Sequence, residues 1–335
     1  MLFGVTLRTN NGKQENNMKT ALVLGAGGFI GNHLVNSLKE EGFWVKAADI
    51  KEPEFSKSSA NMFVTADLRD SKQLEQVLNR EFDEVYQLTA DMGGIGYISG
   101  GSDASIMSNS ALINLNVLRR SEQVSIKGVF FSSSACIYPE HNQLDLNNFT
   151  CKESTAYPAY PDTEYGWEKL FSERMYMAYN RDYGMKNKVG RYHNIFGPLG
   201  TYKGGKEKAP AAICRKVAEA TNSIQIWGDG TQLRSFLYID ECVKFTKAFY
   251  RDQTYFKPIN IGSTETVSIN DLVDIVCDIA GKSLTKIHTE GPIGVKARTS
   301  DNELIKNILG ESPKEDLRGG LEETYKWISR LVKTT

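Results

Sequence analysis

The stretch KTALVLGAGGFIG, residues 19–31, decides the fold of this chain. The residues up to Leu24 form an apolar, β-prone run that predicts a buried strand, and apolar residues between positions 29 and 38 recur at helical spacing. The intervening glycines let the backbone turn tightly and approach a pyrophosphate, while free N–H groups at the start of the helix face the anion. Strand, turn and helix together predict a dinucleotide site with contacts from Gly25, Gly28, Phe29, Ile30 and Gly31.

Two acids further along the chain bear on the identity of the dinucleotide. A second strand, predicted over residues 43–48, ends at Asp49, whose carboxylate can accept hydrogen bonds from a ribose 2′-hydroxyl and repels a 2′-phosphate. The predicted cofactor is therefore NAD rather than NADP. Asp67 and Leu68 follow a third short strand and are predicted to flank the adenine, although an ordinary loop acid beside a core leucine gives the same pattern.

The pattern of the whole chain predicts an α/β protein. Buried-type strands alternate with helical stretches, the strands at residues 84–88, 129–132 and 188–191 and the helices at about 105–124 and 165–183. Such alternation implies parallel βαβ units in a Rossmann-type, doubly wound parallel sheet. A smaller, mostly helical lobe that binds the substrate is expected beside it.

The predicted units are interleaved along the chain. Residues 1–17, rich in Asn, are expected to be a disordered extension. The NAD-binding Rossmann domain is predicted at residues 18–192 and about 236–262. The substrate-binding lobe is predicted at about 193–235, which opens with a loop rich in Gly, Pro and Lys, and at 263–335.

Composition argues against several classes of function. With 40 Lys and Arg against 41 Asp and Glu the net charge is −1, so nothing favours nucleic acid or an anionic membrane as a partner. No apolar stretch approaches the roughly 20 residues of a membrane helix. The five cysteines and four histidines show no metal-ligand spacing. We therefore expect no metal and a reducing, cytoplasmic location.

Two short motifs predict redox chemistry on an alcohol: SSSACIY at residues 132–138 and YGWEK at residues 165–169. Tyr165 and Lys169 lie four residues apart at the start of a predicted helix, so their side chains project from one face about 5–6 Å apart. A free phenol has a pKa near 10, and a nearby ammonium and the nicotinamide cation favour its ionised form. We predict Tyr165 as a base, Lys169 as its partner and ribose ligand, and Ser134 as the group that polarises the substrate hydroxyl.

Oxidation of an alcohol makes inversion at a neighbouring carbon possible, because a proton beside a ketone is acidic enough for a protein base. Inversion needs one group on each face of the sugar ring. Cys136 follows the strand at residues 129–132, at the sheet edge where ligands bind in open α/β folds, and we predict it as one of these groups. The alternative is a small buried apolar residue. Composition alone treats Lys208 as a solvated loop lysine.

Several polar residues are candidates for binding the substrate. Asn194 follows the strand at residues 188–191 and can bind a sugar hydroxyl or phosphate, whereas His193 is expected to be packed. Lys216, Arg234 and Arg298 are predicted to converge on a diphosphate, which the planar guanidinium of Arg binds well. Each of these three cations, taken alone, is also typical of a surface charge.

Six blocks are more discriminating than the glycine turn: TADMGGIG at 89–96, SSACIYPE at 133–140, YGWEKL at 165–170, RYHNIFGP at 191–198, KGGKEKAPAAICRK at 203–216 and WGDGTQLRSF at 227–236. Through them the chain resembles the extended short-chain dehydrogenase/reductase superfamily, and within it the GDP-mannose 3,5-epimerases, from residue 18 to about 329. The resemblance implies hydride transfer at carbon 4 by Tyr165 and Lys169, proton exchange at carbons 5 and 3 by Cys136 and Lys208, and a homodimer. The substrate contacts that it implies are Gly94, Ser134, Asn194, Glu207, Lys208, Lys216, Gln232, Arg234 and Arg298.

These observations predict an NAD-dependent isomerase that converts GDP-mannose to GDP-L-galactose and GDP-L-gulose. One alternative is a GDP-4-keto-6-deoxymannose 3,5-epimerase/4-reductase, which consumes NADPH and is disfavoured by Asp49. A second is a single 4-epimerase of another nucleotide sugar, which needs neither Cys136 nor Lys208. A third is a nucleotide or redox sensor of the same fold, which the presence of Tyr165, Lys169 and Cys136 disfavours.

Overall fold

The structure of the protein is a computed structural model that describes residues 18–98, 100–146, 149–292 and 294–333. The extension predicted at residues 1–17 lies outside the described residues. The strands, in chain order, are β1 Thr20–Leu24, β2 Trp44–Asp49, β3 Met62–Thr65, β4 Glu84–Gln87, β5 Phe130–Ser134, β6 Thr150–Cys151, β7 Lys188–Tyr192, β8 Ile195–Phe196, β9 Ser223–Trp227, β10 Leu233–Ser235, β11 Leu237–Tyr238, β12 Ile259–Ile261, β13 Thr266–Ser268, β14 Thr285–Thr289 and β15 Ala297–Ser300. The α-helices are α1 Phe29–Glu40, α2 Ser71–Val77, α3 Ile95–Ile98, α4 Asp103–Gln123, α5 Glu164–Tyr183, α6 Ala209–Glu219, α7 Ile239–Arg251, α8 Ile269–Ala280, α9 Glu303–Leu309 and α10 Leu317–Lys333.

Seven parallel strands form the main sheet in the order β12-β7-β5-β4-β1-β2-β3. The chain moves outward from β1 to β3, crosses back to β4 and continues outward to β12. This is the Rossmann-type, doubly wound arrangement that the sequence predicts. The strand order reverses between β1 and β4, and at such a point a crevice opens beyond the carboxyl ends of the strands.

Apolar layers cover both faces of the main sheet. Along β1, Ala21 and Val23 point into one layer and Leu22 and Leu24 into the other, because successive side chains of a strand face opposite sides. Helices α1 and α7 contribute to the first layer, and α2, α4 and α5 to the second. The near-continuous apolar strands in the sequence are therefore buried on both faces, as a parallel sheet requires.

A smaller lobe faces the carboxyl edge of the main sheet across a cleft. Its helices α6, α8 and α10 share one apolar cluster. The sequence predicts a mostly helical lobe, but the structure adds a four-stranded sheet, β13-β10-β15-β6, and a two-stranded sheet, β14-β9. These strands have two to five residues, which is too short for a clear alternating pattern. Among the described residues, no helix is long and apolar enough to cross a membrane.

Candidate active site

The cleft between the main sheet and the smaller lobe has a volume of about 420 Å³. One side is formed by the end of β5 and the first turns of α5, and the other by α6, β9 and β10. Ile30 of the glycine turn also lines it, so the predicted cofactor site adjoins the cleft. Every residue that the sequence analysis assigns to catalysis or to the substrate lines this cleft, namely Gly94, Ser134, Cys136, Tyr165, Lys169, Asn194, Glu207, Lys208, Lys216, Gln232, Arg234 and Arg298.

The glycine turn after β1 has no space for side chains. Gly25 has a φ of +86°, and a β-carbon there would lie 2.7 Å from the Thr89 amide nitrogen. A β-carbon at Gly31 would lie 2.1 Å from the Gly25 carbonyl oxygen, so α1 packs directly on the turn. Gly28 is the N-cap of α1, where free N–H groups favour an anion. This cradle fits the pyrophosphate of a dinucleotide.

Asp49 ends β2 beside the same turn. Its Oδ2 accepts a hydrogen bond from the Gly27 N–H at 3.0 Å. Burial raises the pKa of the Asp49 carboxyl, and hydrogen bonds from the Lys51, Ile50 and Gly27 N–H groups oppose that effect. A carboxylate at the end of this strand suits a ribose with a free 2′-hydroxyl. The residues present therefore fit NAD.

We expect Gly27→Ala to abolish NAD binding in a protein that still folds. A β-carbon at Gly27 would lie 2.0 Å from the Lys51 carbonyl oxygen, so the turn would have to shift. The measurement is the rise in melting temperature on adding NAD, which the variant should lose. Gly42→Asn is the matched control at the other end of α1, because Gly42 has a φ of +84° and open space around it, which Asn tolerates. An equal NAD-induced rise in both variants would contradict the assignment.

The predicted adenine contacts lie at the end of β3, and neither of them lines the cleft. Leu68 is 2% exposed and belongs to the apolar layer below the sheet. The Asp67 carboxylate accepts hydrogen bonds from the Arg69 guanidinium, which lower the pKa of the carboxyl. Adenine contact by Asp67 and Leu68 stays a prediction. Phe29 packs with the ring of His33, with centroids 5.4 Å apart.

Tyr165 and Lys169 lie in the first two turns of α5, as the sequence predicts. The helix is capped by Thr163, whose Oγ1 accepts a hydrogen bond from the Gly166 N–H at 3.3 Å. Lys169 Nζ donates to the Ser132 carbonyl oxygen at 2.9 Å and lies 5.8 Å from the centroid of the Tyr165 ring. The ammonium is therefore fixed between the end of β5 and the phenol.

Burial dominates the protonation of this pair. It raises the pKa of the Tyr165 phenol, Cys136 adds to the rise, and the hydrogen bond with Ser134 opposes it. Burial also lowers the pKa of the Lys169 ammonium, against the attraction of Glu168. In the protein alone, desolvation of the phenolate outweighs the nearby ammonium. The ionised phenol expected from the sequence thus depends on the nicotinamide cation as well.

Cys136 lies in a short 3₁₀ turn directly after β5, and its N–H donates to Ser134 Oγ at 3.2 Å. Arg298 Nη1 donates to the Cys136 sulfur at 3.2 Å, and Arg298 Nη2 donates to Asp162 Oδ2 at 3.3 Å. Arg298 Nε donates to Gln143. The Arg298 guanidinium therefore lies directly against the thiol that is predicted to exchange protons.

Arg298 is predicted to converge on a diphosphate with Lys216 and Arg234, and that role stays a prediction. In the structure Arg298 lines the same cleft, and its guanidinium contacts the Cys136 sulfur, a contact that the sequence analysis does not predict. Asp162 and Gln143, which fix the guanidinium, are not predicted at all. Neither belongs to a spacing that indicates a function.

Lys208 reaches the cleft from the side of the smaller lobe. It is the N-cap residue of α6, and its side chain is half-buried. Burial lowers the pKa of the Lys208 ammonium, and attraction to Cys136 opposes that effect. A lysine with a lowered pKa is a better proton acceptor near neutral pH. The two predicted proton carriers therefore face one cavity, Cys136 from the main sheet and Lys208 from the smaller lobe.

The candidate diphosphate ligands Lys216 and Arg234 lie in the smaller lobe. Arg234 Nη2 donates to the Val295 carbonyl oxygen at 2.6 Å, and Lys216 Nζ donates to the Gln225 carbonyl oxygen at 2.9 Å. Burial, with repulsion from Arg298, lowers the pKa of the Arg234 guanidinium to about 10. A bound anion would offset both the burial of the Arg234 charge and its repulsion by Arg298, so the site favours a negatively charged ligand.

The two amide side chains predicted to contact the substrate are oriented by backbone carbonyls. Asn194 Nδ2 donates to the Ser235 carbonyl oxygen at 3.0 Å, and Gln232 Nε2 donates to the Trp227 carbonyl oxygen at 3.5 Å. Asn194 has a φ of +45°, which is uncommon for a residue other than glycine. These contacts connect β8, β10 and the end of β9 on one side of the cleft.

His193 is packed, in line with the sequence analysis. It is fully buried, and its Nε2 lies 3.0 Å from Asn260 Oδ1. Burial lowers the pKa of His193 to about 3. The neutral ring is therefore a structural group behind the catalytic edge.

We expect the free energy of unfolding to fall as the pH drops from about 6.5 towards 3, because the unfolded chain then binds a proton that folded His193 excludes. One group contributes at most ~1.4 kcal/mol per pH unit. The measurement is denaturant unfolding at pH 7 and pH 5 of the wild type and His193→Gln, which should lose this part of the pH dependence. His288→Gln, at an exposed position, should keep it. The same pH dependence in both variants would contradict the burial argument.

Comparison with known proteins agrees with this geometry. Residues 21–262 match the NAD dependent epimerase/dehydratase family. The chain is 44% identical to the GDP-mannose 3,5-epimerase of Arabidopsis thaliana, over 95% of this chain and 84% of that protein. It is also 44% identical to GDP-mannose 3,5-epimerase 1 of Oryza sativa subsp. indica, over 93% of this chain and 82% of that protein.

Solved structures share the architecture. UDP-glucuronic acid 4-epimerase from Bacillus cereus, in complex with UDP-glucuronic acid and NAD, has a TM-score of 0.78 at 27% identity, covering 93% of this chain and 99% of that chain. UDP-glucose 4-epimerase from Thermotoga maritima has a TM-score of 0.83 at 24% identity with the same coverage, and shows the shared fold alone. The strand order, the glycine cradle and these similarities agree, and the chain belongs to the NAD dependent epimerase/dehydratase family and, within it, to the GDP-mannose 3,5-epimerases.

Proposed function

We propose that this protein is an isomerase that epimerises GDP-mannose at carbons 3 and 5, with NAD as its cofactor. The observation that supports this function most is the shared cleft. The Tyr165–Lys169 pair and two separate proton carriers, Cys136 and Lys208, line one cavity. A dehydrogenase needs only the first pair, whereas inversion of stereochemistry needs the second as well. The expected products are GDP-L-galactose and GDP-L-gulose.

The first task of the site is to remove the hydrogens of the carbon 4 alcohol. Tyr165 takes the hydroxyl proton, Ser134 polarises that hydroxyl, and Lys169 stabilises the phenolate from its place beside the ring. The chemistry that bound NAD supplies is reversible acceptance of the carbon 4 hydride. Because the hydride returns at the end, the reaction has no net redox change. The glycine cradle would hold the pyrophosphate and Asp49 the ribose.

The ketone at carbon 4 acidifies the hydrogens on carbons 3 and 5. Cys136 and Lys208 take and return these protons from different sides of the cleft. Arg298 fixes the position of the Cys136 sulfur through its hydrogen bond, and burial lowers the pKa of the Lys208 ammonium. The lowered pKa suits Lys208 to both accepting and returning a proton.

The polar groups of the smaller lobe are assigned to binding the GDP-sugar. Arg234 and Lys216 are proposed to bind the diphosphate, since a guanidinium with a pKa lowered to about 10 gains most from a nearby anion. Asn194, Gln232 and Glu207 are proposed to bind the nucleoside and the sugar hydroxyls. Gly94 is proposed as a close backbone contact.

The alternatives differ from the proposal in cofactor or in site residues. A 4-reductase of the GDP-fucose synthase type consumes NADPH, and the buried Asp49 disfavours a 2′-phosphate. A simple 4-epimerase has no use for the thiol of Cys136 or the amine of Lys208. A sensor would have no reason to retain both proton carriers in one cleft.

Product analysis tests the proposal. Purified protein with NAD is incubated separately with GDP-mannose and with UDP-glucose, and the sugars are identified after acid hydrolysis. Galactose and gulose of the L-series from GDP-mannose, with UDP-glucose unchanged, support the proposal. Galactose from UDP-glucose, with GDP-mannose unchanged, would establish a 4-epimerase instead, and no conversion of either would favour the sensor.

We further propose that the protein is a homodimer that pairs through α4 and α5. The outer face of these adjacent helices exposes Leu112 (44%), Trp167 (40%) and Phe171 (53%). Exposed apolar side chains on neighbouring helices are typical of an association surface. Light scattering after gel filtration should give a dimer mass for the wild type and a monomer mass for Phe171→Asp. A monomeric wild type would contradict the proposal.

We also propose the cytoplasm as the location. Cys136, Cys151, Cys214, Cys242 and Cys277 are all free thiols in the structure, and a reducing compartment keeps them so. Fractionation of the source cells with antibody detection tests the location, and recovery from an oxidising compartment would contradict it.

A further inference from the structure

The loop that leads to Lys208 is held by contacts of its Lys206 side chain with two residues of the main domain. Lys206 Nζ lies 3.7 Å from the centroid of the Tyr97 ring and 3.9 Å from Asp91 Oδ1. The Tyr97 hydroxyl donates to the same Asp91 oxygen at 2.7 Å. We refer to Asp91, Tyr97 and Lys206 as the clamp. None of the three lines the cleft in the structure.

The clamp is fixed to the main domain at its acidic end. Asn109 Nδ2 donates to Asp91 Oδ2 at 3.2 Å, and the Asp91 N–H donates to Ser110 Oγ at 3.3 Å. Both partners belong to α4, which packs against α5. Asp91 therefore holds Lys206 in a fixed position relative to α4 and α5, and α5 carries Tyr165 and Lys169.

Backbone contacts next to Lys206 also restrain the residues that lead to Lys208. The Gly94 N–H donates to the Lys206 carbonyl oxygen at 3.0 Å. A β-carbon at Gly94 would lie 2.4 Å from the Glu207 carbonyl oxygen, so the two segments are in close contact. Lys208 is the next residue and is the N-cap of α6. Two successive peptide groups before Lys208 are thus pressed against the main domain.

Two glycines precede Lys206 in the loop. Gly204 and Gly205 have φ values of +93° and +87°, and no atom lies within 4 Å of a β-carbon at either position. Glycines in open space leave the backbone many conformations. The cation–π contact and the ion pair of Lys206 restrict this backbone freedom two residues before Lys208, whose amine must reach the sugar.

We infer that Asp91, Tyr97 and Lys206 are positioning residues for proton transfer by Lys208. The inference rests on the proposed function, because it concerns the exchange at carbons 3 and 5. The clamp sets the distance of the Lys208 amine from the sugar ring, while hydride transfer at carbon 4 uses Tyr165 and Lys169 on a separate element. Loss of the clamp therefore affects one step of the reaction and spares the other.

The test compares four variants: Lys206→Ala, Lys206→Arg, Tyr97→Phe and the control Lys203→Ala. Lys203 is an exposed lysine of the same loop that makes no contact with the clamp residues. We expect Lys206→Ala to slow deuterium uptake at carbons 3 and 5 from deuterated water by about 10- to 100-fold, the usual effect of a small misplacement. Tyr97→Phe should show a smaller loss, Lys206→Arg should restore the rate, and Lys203→Ala should match the wild type.

Two further readouts separate positioning from general damage. Oxidation of the sugar at carbon 4, measured as formation of reduced cofactor, should be unchanged in Lys206→Ala. The KM for GDP-mannose should also be unchanged, so that only kcat falls. An equal loss of carbon 4 oxidation, or undiminished exchange at carbons 3 and 5, would overturn the inference.

Amide hydrogen exchange keeps the test independent of the proposed function. Without any substrate, the peptide spanning residues 203–210 should exchange faster in Lys206→Ala than in the wild type or Lys203→Ala. If the wild type takes up no deuterium at carbons 3 and 5, the proposed function fails, and this measurement alone decides the clamp. Unchanged amide exchange in Lys206→Ala would overturn it.

Discussion

Tyr165→Phe is expected to lower the turnover of GDP-mannose by about 10²- to 10⁴-fold, the usual contribution of a general acid/base. The ring stays packed, since the side chain is 5% exposed, so the variant should fold. Without the hydroxyl the ketone at carbon 4 forms much more slowly. Formation of reduced cofactor and proton exchange at carbons 3 and 5 should therefore fall together. The measurement combines chromatography of the nucleotide sugars with the absorbance of NADH.

Tyr160→Phe is the matched control for this variant. Tyr160 is 58% exposed, and its backbone carbonyl accepts the Glu140 N–H, which the substitution leaves intact. It should turn over like the wild type. If Tyr165→Phe kept turnover within about tenfold of the wild type, the assignment of the base would be wrong.

Cys136→Ala is expected to separate the two halves of the reaction. Removal of the thiol should lower proton exchange at carbons 3 and 5 by about 10²- to 10⁴-fold, because one of the two proton carriers is gone. Oxidation at carbon 4 should continue, since Tyr165, Lys169 and Ser134 are untouched. The measurement is deuterium uptake by nuclear magnetic resonance, with the reduced cofactor followed in parallel.

Cys277→Ala provides the comparison for the loss of a thiol elsewhere. Cys277 lies on α8 in the core of the smaller lobe and does not line the cleft. This variant should exchange protons at the wild-type rate, with at most a modest loss of stability. Proton exchange at the wild-type rate in Cys136→Ala would show that Cys136 is not one of the two proton carriers, and a residue other than Cys136 would have to act with Lys208.

Short-range patterns are sufficient to predict the elements that build the site. The glycine spacing between Gly25 and Gly31, the strand that ends at Ser134, and the four-residue spacing of Tyr165 and Lys169 are all local features. A parallel sheet then brings the carboxyl ends of its strands to one edge. For this reason residues far apart in the sequence meet in one cleft, as predicted.

Contacts between distant segments leave no such signal. Arg298 reaches the sulfur of Cys136 across 162 positions, and the two residues of β6 join β15 in a sheet too short to have a period. The pKa of Tyr165 is set by burial, which depends on how both lobes pack. The contact of Lys206 with Tyr97 likewise depends on the tertiary fold. These features follow from three-dimensional packing and not from spacing.

The most direct test of the account is the position of deuterium in the product. Wild-type protein with NAD and GDP-mannose in deuterated water should give GDP-L-galactose that carries deuterium at carbons 3 and 5 and the original hydrogen at carbon 4. That pattern requires a transient ketone, two proton carriers and a returned hydride. GDP-L-galactose with no deuterium at carbon 3, or with none at carbon 5, would contradict the mechanism.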